Sequence, residues 1–157
     1  ICFMENKYYT PEIEEFYVGF EYEMVIPVGF TYIDFSNPDE KPEITWSDKY
    51  SKGVFQVKPA DPFGGELASI AAAIKINKCR VKYLDKEDIE SLGWVGQKAN
   101  SVYFKKGKYR LVHWMDKPVR LVTIIEEYTG GEEIILRKAM VKNKSELKKL
   151  LKQLGII

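Results

Sequence analysis

Apolar and polar positions change their spacing several times along this chain, and each change marks an element. Over Tyr17–Val25 they alternate: Val18, Phe20, Tyr22 and Met24 point one way, Gly19, Glu21 and Glu23 the other. That predicts a strand with one solvated face. Just before it, Thr10-Pro11-Glu12 reads as a helix start, with a hydroxyl cap, a proline at the first helical position and acids in the first turn. This helix is short, because the alternation takes over. Near the other end, Leu147, Leu150, Leu151 and Leu154 follow the stripe of an amphipathic helix. Asn143-Lys144-Ser145-Glu146 reads as its capping box, and Gly155 stops it.

Between these ends the pattern predicts further elements. Gly64-Gly65 precedes a strong helix former, Glu66–Ile74, with Leu67, Ile70, Ala71 and Ile74 as its apolar stripe. Arg80–Leu84 reads as a strand. Asp85 then caps a short helix, Lys86–Leu92, closed by Gly93, with Leu84 and Ile89 at the two positions of a hydrophobic staple. Four strands, Val102–Lys105, Tyr109–Trp114, Arg120–Glu126 and Glu133–Val141, form a meander with turns at 106–108, 115–117 and 128–131. Residues 27–63 fit no period. They hold prolines at 27, 38, 42, 59 and 62 and the aromatics Phe30, Tyr32, Phe35, Trp46, Tyr50 and Phe55. Short strands at Phe30–Phe35 and Val54–Lys58, joined by irregular loops, are expected there. Strands outnumber helices, so the expected fold is α+β in a single domain, 1–157: a mostly antiparallel sheet with helices on one face and a C-terminal amphipathic helix.

Composition narrows the class. The chain has 157 residues, 45% of them hydrophobic, which suits one folded domain and argues against wholesale disorder. No apolar run approaches the roughly 20 residues that cross a bilayer. No leader is visible, so no membrane association and a cytoplasmic location are expected. Met4-Glu5-Asn6-Lys7 looks like a natural start, which makes Ile1-Cys2-Phe3 an extension. Cys79 then reads as a small buried residue, not a nucleophile. Charge is unevenly distributed. Residues 1–48 hold eleven acids and two bases, whereas 49–157 hold 22 bases and 12 acids. Either the two segments neutralise each other or the surface is bipolar.

Little in this pattern demands catalysis. His113 stands alone in a strand beside Trp114, with no GxSxG, HExxH or HxH spacing, so a structural role is expected. The carboxylate pairs Glu12/Glu15, Glu21/Glu23, Glu126/Glu127 and Glu132/Glu133 fall at helix starts, strand faces or turns, where solvated acids are common. No catalytic residue, metal ligand or cofactor is assigned. The run Lys98, Tyr103, Phe104, Lys105, Lys106, Lys108, Tyr109, Arg110, Trp114 has the composition of a nucleic-acid surface, although it lacks an RNA-recognition signature and suits a hairpin tip equally well.

If a ligand site exists, the aromatic, proline-rich segment is where it is expected. Trp46 and Tyr50 are four apart with Lys49 and Lys52 alongside, so one turn would set a stacking face and a cation on one side. Lys58 adds charge. Gly64 and Gly65 at the helix start offer backbone N–H groups to an anion, without the Gly-Lys-Ser/Thr of a Walker loop. The alternative is that Trp46 simply plugs the core.

Three stretches carry a resemblance: Lys7–Phe16 running on through Val18–Glu23, then Arg80–Trp94, and Lys142–Leu147 with Leu150–Gly155. In these, at its two ends and middle, the chain resembles a group of small uncharacterised proteins from phages and prophages of Bacteroidales. The resemblance brings no catalytic motif with it. It implies a phage accessory protein made in the host cytoplasm, which occupies a host protein or sequesters a small nucleotide-like signalling ligand of a defence system. Two alternatives from other classes stand beside it: a small metal-dependent hydrolase or nuclease using its carboxylates, and a nucleic-acid binder using the basic meander.

Overall fold

The computed structural model describes residues 7–30, 44–56, 65–97, 102–114 and 120–157. The fold is α+β, as the pattern predicts, and the described residues form two antiparallel sheets and three α-helices, one of them C-terminal. The backbone groups into two compact units, 1–81 and 82–157.

The first unit holds β1 (Tyr8–Tyr9), a single 3-10 turn (Ile13–Glu15), β2 (Glu21–Phe30), β3 (Ile44–Val54), α1 (Gly65–Lys75) and β4 (Cys79–Lys82), with strands in the order β1-β4-β2-β3. Three expectations change here. The turn starts at Glu12 and not Thr10, with the Glu12 N–H donating to Glu15 Oε1 at 3.0 Å. β2 runs on to Phe30, beyond the strand expected to end at Val25. Most of the expected loop is β3, an edge strand paired with β2 from Glu21 opposite Val54 to Phe30 opposite Ile44. Its residues are mainly polar because it is the exposed edge, and so no burial pattern marks it. Positions 31–35 and 57–58, the remainder of the expected short strands, lie outside the described residues.

Phe20, Tyr22, Phe55, Ile70, Ala73, Cys79 and Val81 form this unit's core, and the Phe16 ring lies 4.8 Å from that of Phe20. α1 faces this core with Ile70 and Ala73, backed by Ile74, whereas Leu67 is 46% exposed and Ala71 only half-buried. Glu66 sets that rotation. It accepts the Tyr22 hydroxyl at 2.8 Å, turning the 66-70-73 line inward instead of the 67-71 line. Asn77, at φ 54°, ends the helix in a Schellman turn, with the Lys78 N–H donating to the Ala73 carbonyl at 2.8 Å. Cys79 is buried as expected, and burial pushes its thiol up to about 11.

Gly53 lies opposite Tyr22, and a Cβ there would stand 2.7 Å from the ring's Cζ. A glycine within a strand ordinarily costs stability relative to alanine. Here the sign is expected to reverse, because the ring is buried and its hydroxyl is tied to Glu66. Gly53→Ala is expected to destabilise the first unit by about 1–3 kcal/mol, read from the urea midpoint at constant slope. A gain in stability would show that Tyr22 is free to move.

The second unit is a meander, β5 (Val95–Gly96), β6 (Tyr103–Lys106), β7 (Tyr109–Trp114), β8 (Leu121–Glu127) and β9 (Glu133–Met140), in sequential order. Its four long strands fall within a residue or so of their expected positions, and Gly107 at φ 57° makes the first tight turn. The turn expected at 115–117 lies outside the described residues. Helices α2 (Lys86–Ser91) and α3 (Lys144–Gln153) share one core with the sheet: Leu84, Ile89, Trp94, Phe104, Leu111, Val122, Ile124, Val141, Leu147, Leu150 and Leu151.

Local signals predicted both helices well. Asp85 accepts the Asp88 N–H at 3.0 Å, and the staple residues Leu84 and Ile89 are fully buried. Asn143 Oδ1 accepts the Glu146 N–H at 2.9 Å, while Glu146 reaches back to the Lys142 N–H at 2.6 Å. Leu147, Leu150 and Leu151 are buried and Leu154 packs beside them. Gly155, at φ 68°, allows the Ile156 N–H to close on the Leu151 carbonyl at 2.9 Å.

Candidate functional site

The expected ligand residues Trp46, Lys49, Tyr50 and Lys52 lie on β3, a strand and not a helical turn. A bulge separates the aromatics, since Val25 and Pro27 of β2 stand opposite Tyr50 and Trp46. Within it, Ser47 Oγ donates to the Lys49 carbonyl at 3.0 Å. Trp46 is half-buried, Lys49 and Lys52 are exposed, and Lys52 stands opposite Glu23. Gly65 is the first residue of α1, while Lys58 and Gly64 lie outside the described residues.

Tyr50 does meet a cation, though neither expected lysine. The Arg80 guanidinium sits 3.8 Å from the centre of the Tyr50 ring and 3.8 Å from that of Tyr8. Its Nε donates to Glu23 Oε2 at 2.7 Å, so one arginine ties together all four strands of the sheet. Arg80 alternates with buried Cys79 and Val81, which was the available sign that it points to the opposite face. Nothing in the sequence indicated that Tyr8 and Tyr50 would flank it.

The second unit presents a different surface. Leu111, Val122 and Ile124 face the core, so Trp114, Leu121 and Met140, paired in one cross-strand row, point away from it. Tyr103 opposes Val112 in the next row, which continues through Thr123 to Lys138. On this outer face Trp114 is 43% exposed, Met140 64% and Tyr103 42%, whereas Leu121 is half-buried and Val112, Thr123 and Ile125 between them are buried. Trp114 and Tyr103 came from the sequence, as parts of a basic and aromatic run. Leu121 and Met140 were missed, because strand alternation does not say which face is covered.

The bases expected to accompany these aromatics have acidic or carbonyl partners. Lys105 Nζ lies 2.8 Å from Glu127, and Arg110 reaches Glu127 at 3.4 Å and Glu133 at 2.9 Å. Lys108 pairs with Glu126, and Lys106 donates to the Leu92 carbonyl at 3.0 Å. These contacts hold the carboxyls of Glu126 and Glu127 below their usual range, chiefly through the hydrogen bonds from Lys108 and Lys105. Phe104 is buried, Tyr109 is half-buried, and Lys98 lies outside the described residues. Gln97, Tyr103, Lys105, Arg110 and Glu127 border a shallow cleft of about 200 Å³, smaller than ordinary small-molecule sites.

His113 is sealed in this unit. It is buried, and its Nε2 has no hydrogen-bond partner among the described residues. Burial pushes its pKa down to about 4, the nearby Arg120 charge adds to the effect, and Asp85 opposes it. The ring is therefore neutral at physiological pH. Among the described residues, no group of three or more His, Cys, Asp and Glu is placed to hold a metal ion, and no helix is long and apolar enough to cross a membrane. Comparison with protein-family models, curated proteins and solved structures finds no match.

Proposed function

We propose that this chain is a phage-type accessory binding protein, acting in the host cytoplasm by occupying a host protein through the outer face of its five-stranded sheet. The observation that carries this reading is exposed Trp114 and Met140, with half-buried Leu121 between them in one row and exposed Tyr103 on the strand next to Trp114. Exposed apolar side chains gathered on one face mark an interaction surface more often than scattered ones do. Aromatic and methionine side chains are also those enriched at protein interfaces. The mixture of aliphatic and aromatic groups fits a protein better than a nucleic acid, as does the pairing of Lys105, Lys108 and Arg110 with carboxylates. The second unit holds sixteen Lys and Arg against ten Asp and Glu, which favours a partner with an acidic rim. The resemblance to Bacteroidales phage proteins supplies the setting. The β3 segment is the weaker place for a ligand, because the Tyr50 ring already stacks on Arg80.

Expression in a bacterial host with affinity capture, followed by titration of the captured protein, tests this. Trp114→Ser with Met140→Ser is expected to weaken binding at least tenfold while leaving the melting temperature nearly unchanged, since both side chains are exposed. Unchanged binding in that variant would overturn the reading. So would loss of binding in Lys49→Ala with Lys52→Ala instead.

A further inference from the structure

Among the described residues, β9 closes one side of the five-stranded sheet and pairs only with β8, while β5 at the other side is two residues long. A free edge of this length offers a row of backbone N–H and C=O groups to another strand. Ile134 and Ile135 stand 51% and 54% exposed along it. Charge order says which strand fits. Glu132 and Glu133 precede Ile134-Ile135-Leu136, and Arg137 and Lys138 follow. No ion pair among the described residues involves Arg137 or Lys138. A second copy running antiparallel sets each acidic end on a basic end, whereas a parallel copy sets like on like.

The register supports the same pairing. A shift between Ile124 and Ile125 leaves Leu136 as the extra residue, so Glu133 and Lys138 stand opposite Glu127 and Thr123, on one face of the sheet. Pairing centred between Ile135 and Leu136 then places Glu133 of each copy across from Lys138 of the other. We infer that β9 is a homodimerisation edge, at which two copies join antiparallel about a two-fold axis into one continuous sheet. Because the same edge serves both copies, the contact closes at two and leads to no fibre. The bulge and bases that deter unrelated strands suit this one partner.

Sedimentation of the full chain at about 100 μM and low salt is expected to show a dimer, weakened at least tenfold by raising the salt past the range where exposed charges attract. Arg137→Glu with Lys138→Glu, which disturbs no ion pair seen among the described residues, is expected to be a folded monomer. Glu132→Lys with Glu133→Lys is expected to be monomeric too, and an equimolar mixture of the two variants to form heterodimers. A monomeric wild-type chain would overturn the inference. So would a dimer unaffected by the Arg137 and Lys138 reversal, or two folded variants that fail to associate when mixed.

Discussion

Replacing Leu151 by Ala lowers the unfolding free energy of the second unit by about 2–5 kcal/mol, the range for a fully buried leucine whose site is only partly able to collapse. Leu151 has no exposed surface and shares its core with Leu84, Trp94, Phe104 and Leu111, so truncation opens a cavity between α3 and the sheet. The size of the loss follows from what holds α3. Ten residues form a marginal helix in water, and its caps add about 1 kcal/mol each, so burial of its leucine stripe is the main reason it stays folded. Trp94 lies in the same core and provides a local probe, which matters because a chain of two units need not unfold in one step. Leu154→Ala, at a half-buried position, is expected to cost less, and Lys148→Ala, on the exposed side, less than about 0.5 kcal/mol. If the Trp94 transition of Leu151→Ala coincides with that of the wild-type chain, α3 is not part of the core.

The second unit was more legible in the sequence than the first, for a physical reason. Its helices announce themselves through contacts three to five residues apart: Asp85 with Asp88, Asn143 with Glu146, Leu84 with Ile89. Two of its hairpins, β6–β7 and β8–β9, turn at Gly107 and at Gly130-Gly131, where a positive φ is required. The first unit is organised by distant partners. β3 exists because β2 lies beside it, and its own residues alternate too weakly to reveal a strand. The inward face of α1 is chosen by Tyr22, 44 residues before Glu66. The candidate site divides along the same line. An aromatic–cation contact at Tyr50 was legible as a type, but its cation is Arg80, which only the sheet brings near. Trp114 and Tyr103 were legible as aromatics in strands, whereas their exposure depends on which face the helices cover.

His113 makes the stability of the second unit depend on pH. In the folded chain its pKa is about 4, and in the unfolded chain it returns to the ordinary value near 6.5. Above that ordinary value both states are neutral and the full stability is present. As pH falls below it, the unfolded chain takes up a proton that the folded chain refuses, and stability drops by up to about 1.4 kcal/mol per pH unit. The decline ends near the folded pKa, so the window spans the ordinary histidine value down to about 4 and amounts to about 3 kcal/mol in all. The structural cause is the imidazole's burial on the core face of β7, beside Arg120, with no acceptor for Nε2 among the described residues. Arg120 cannot retreat freely. It stacks on Tyr83 at 4.0 Å and donates to the Leu84 carbonyl at 3.3 Å. His113→Leu removes the titrating group and an unsatisfied polar atom together, so it is expected to be neutral or stabilising at pH 7. Urea unfolding followed at Trp94 at several pH values separates this histidine from the carboxylates, which titrate alike in both proteins. The wild-type curve should fall below the variant's through the window and run parallel to it outside. Parallel curves throughout would mean that the folded chain protonates His113 as readily as the unfolded one, and that the ring is not sealed.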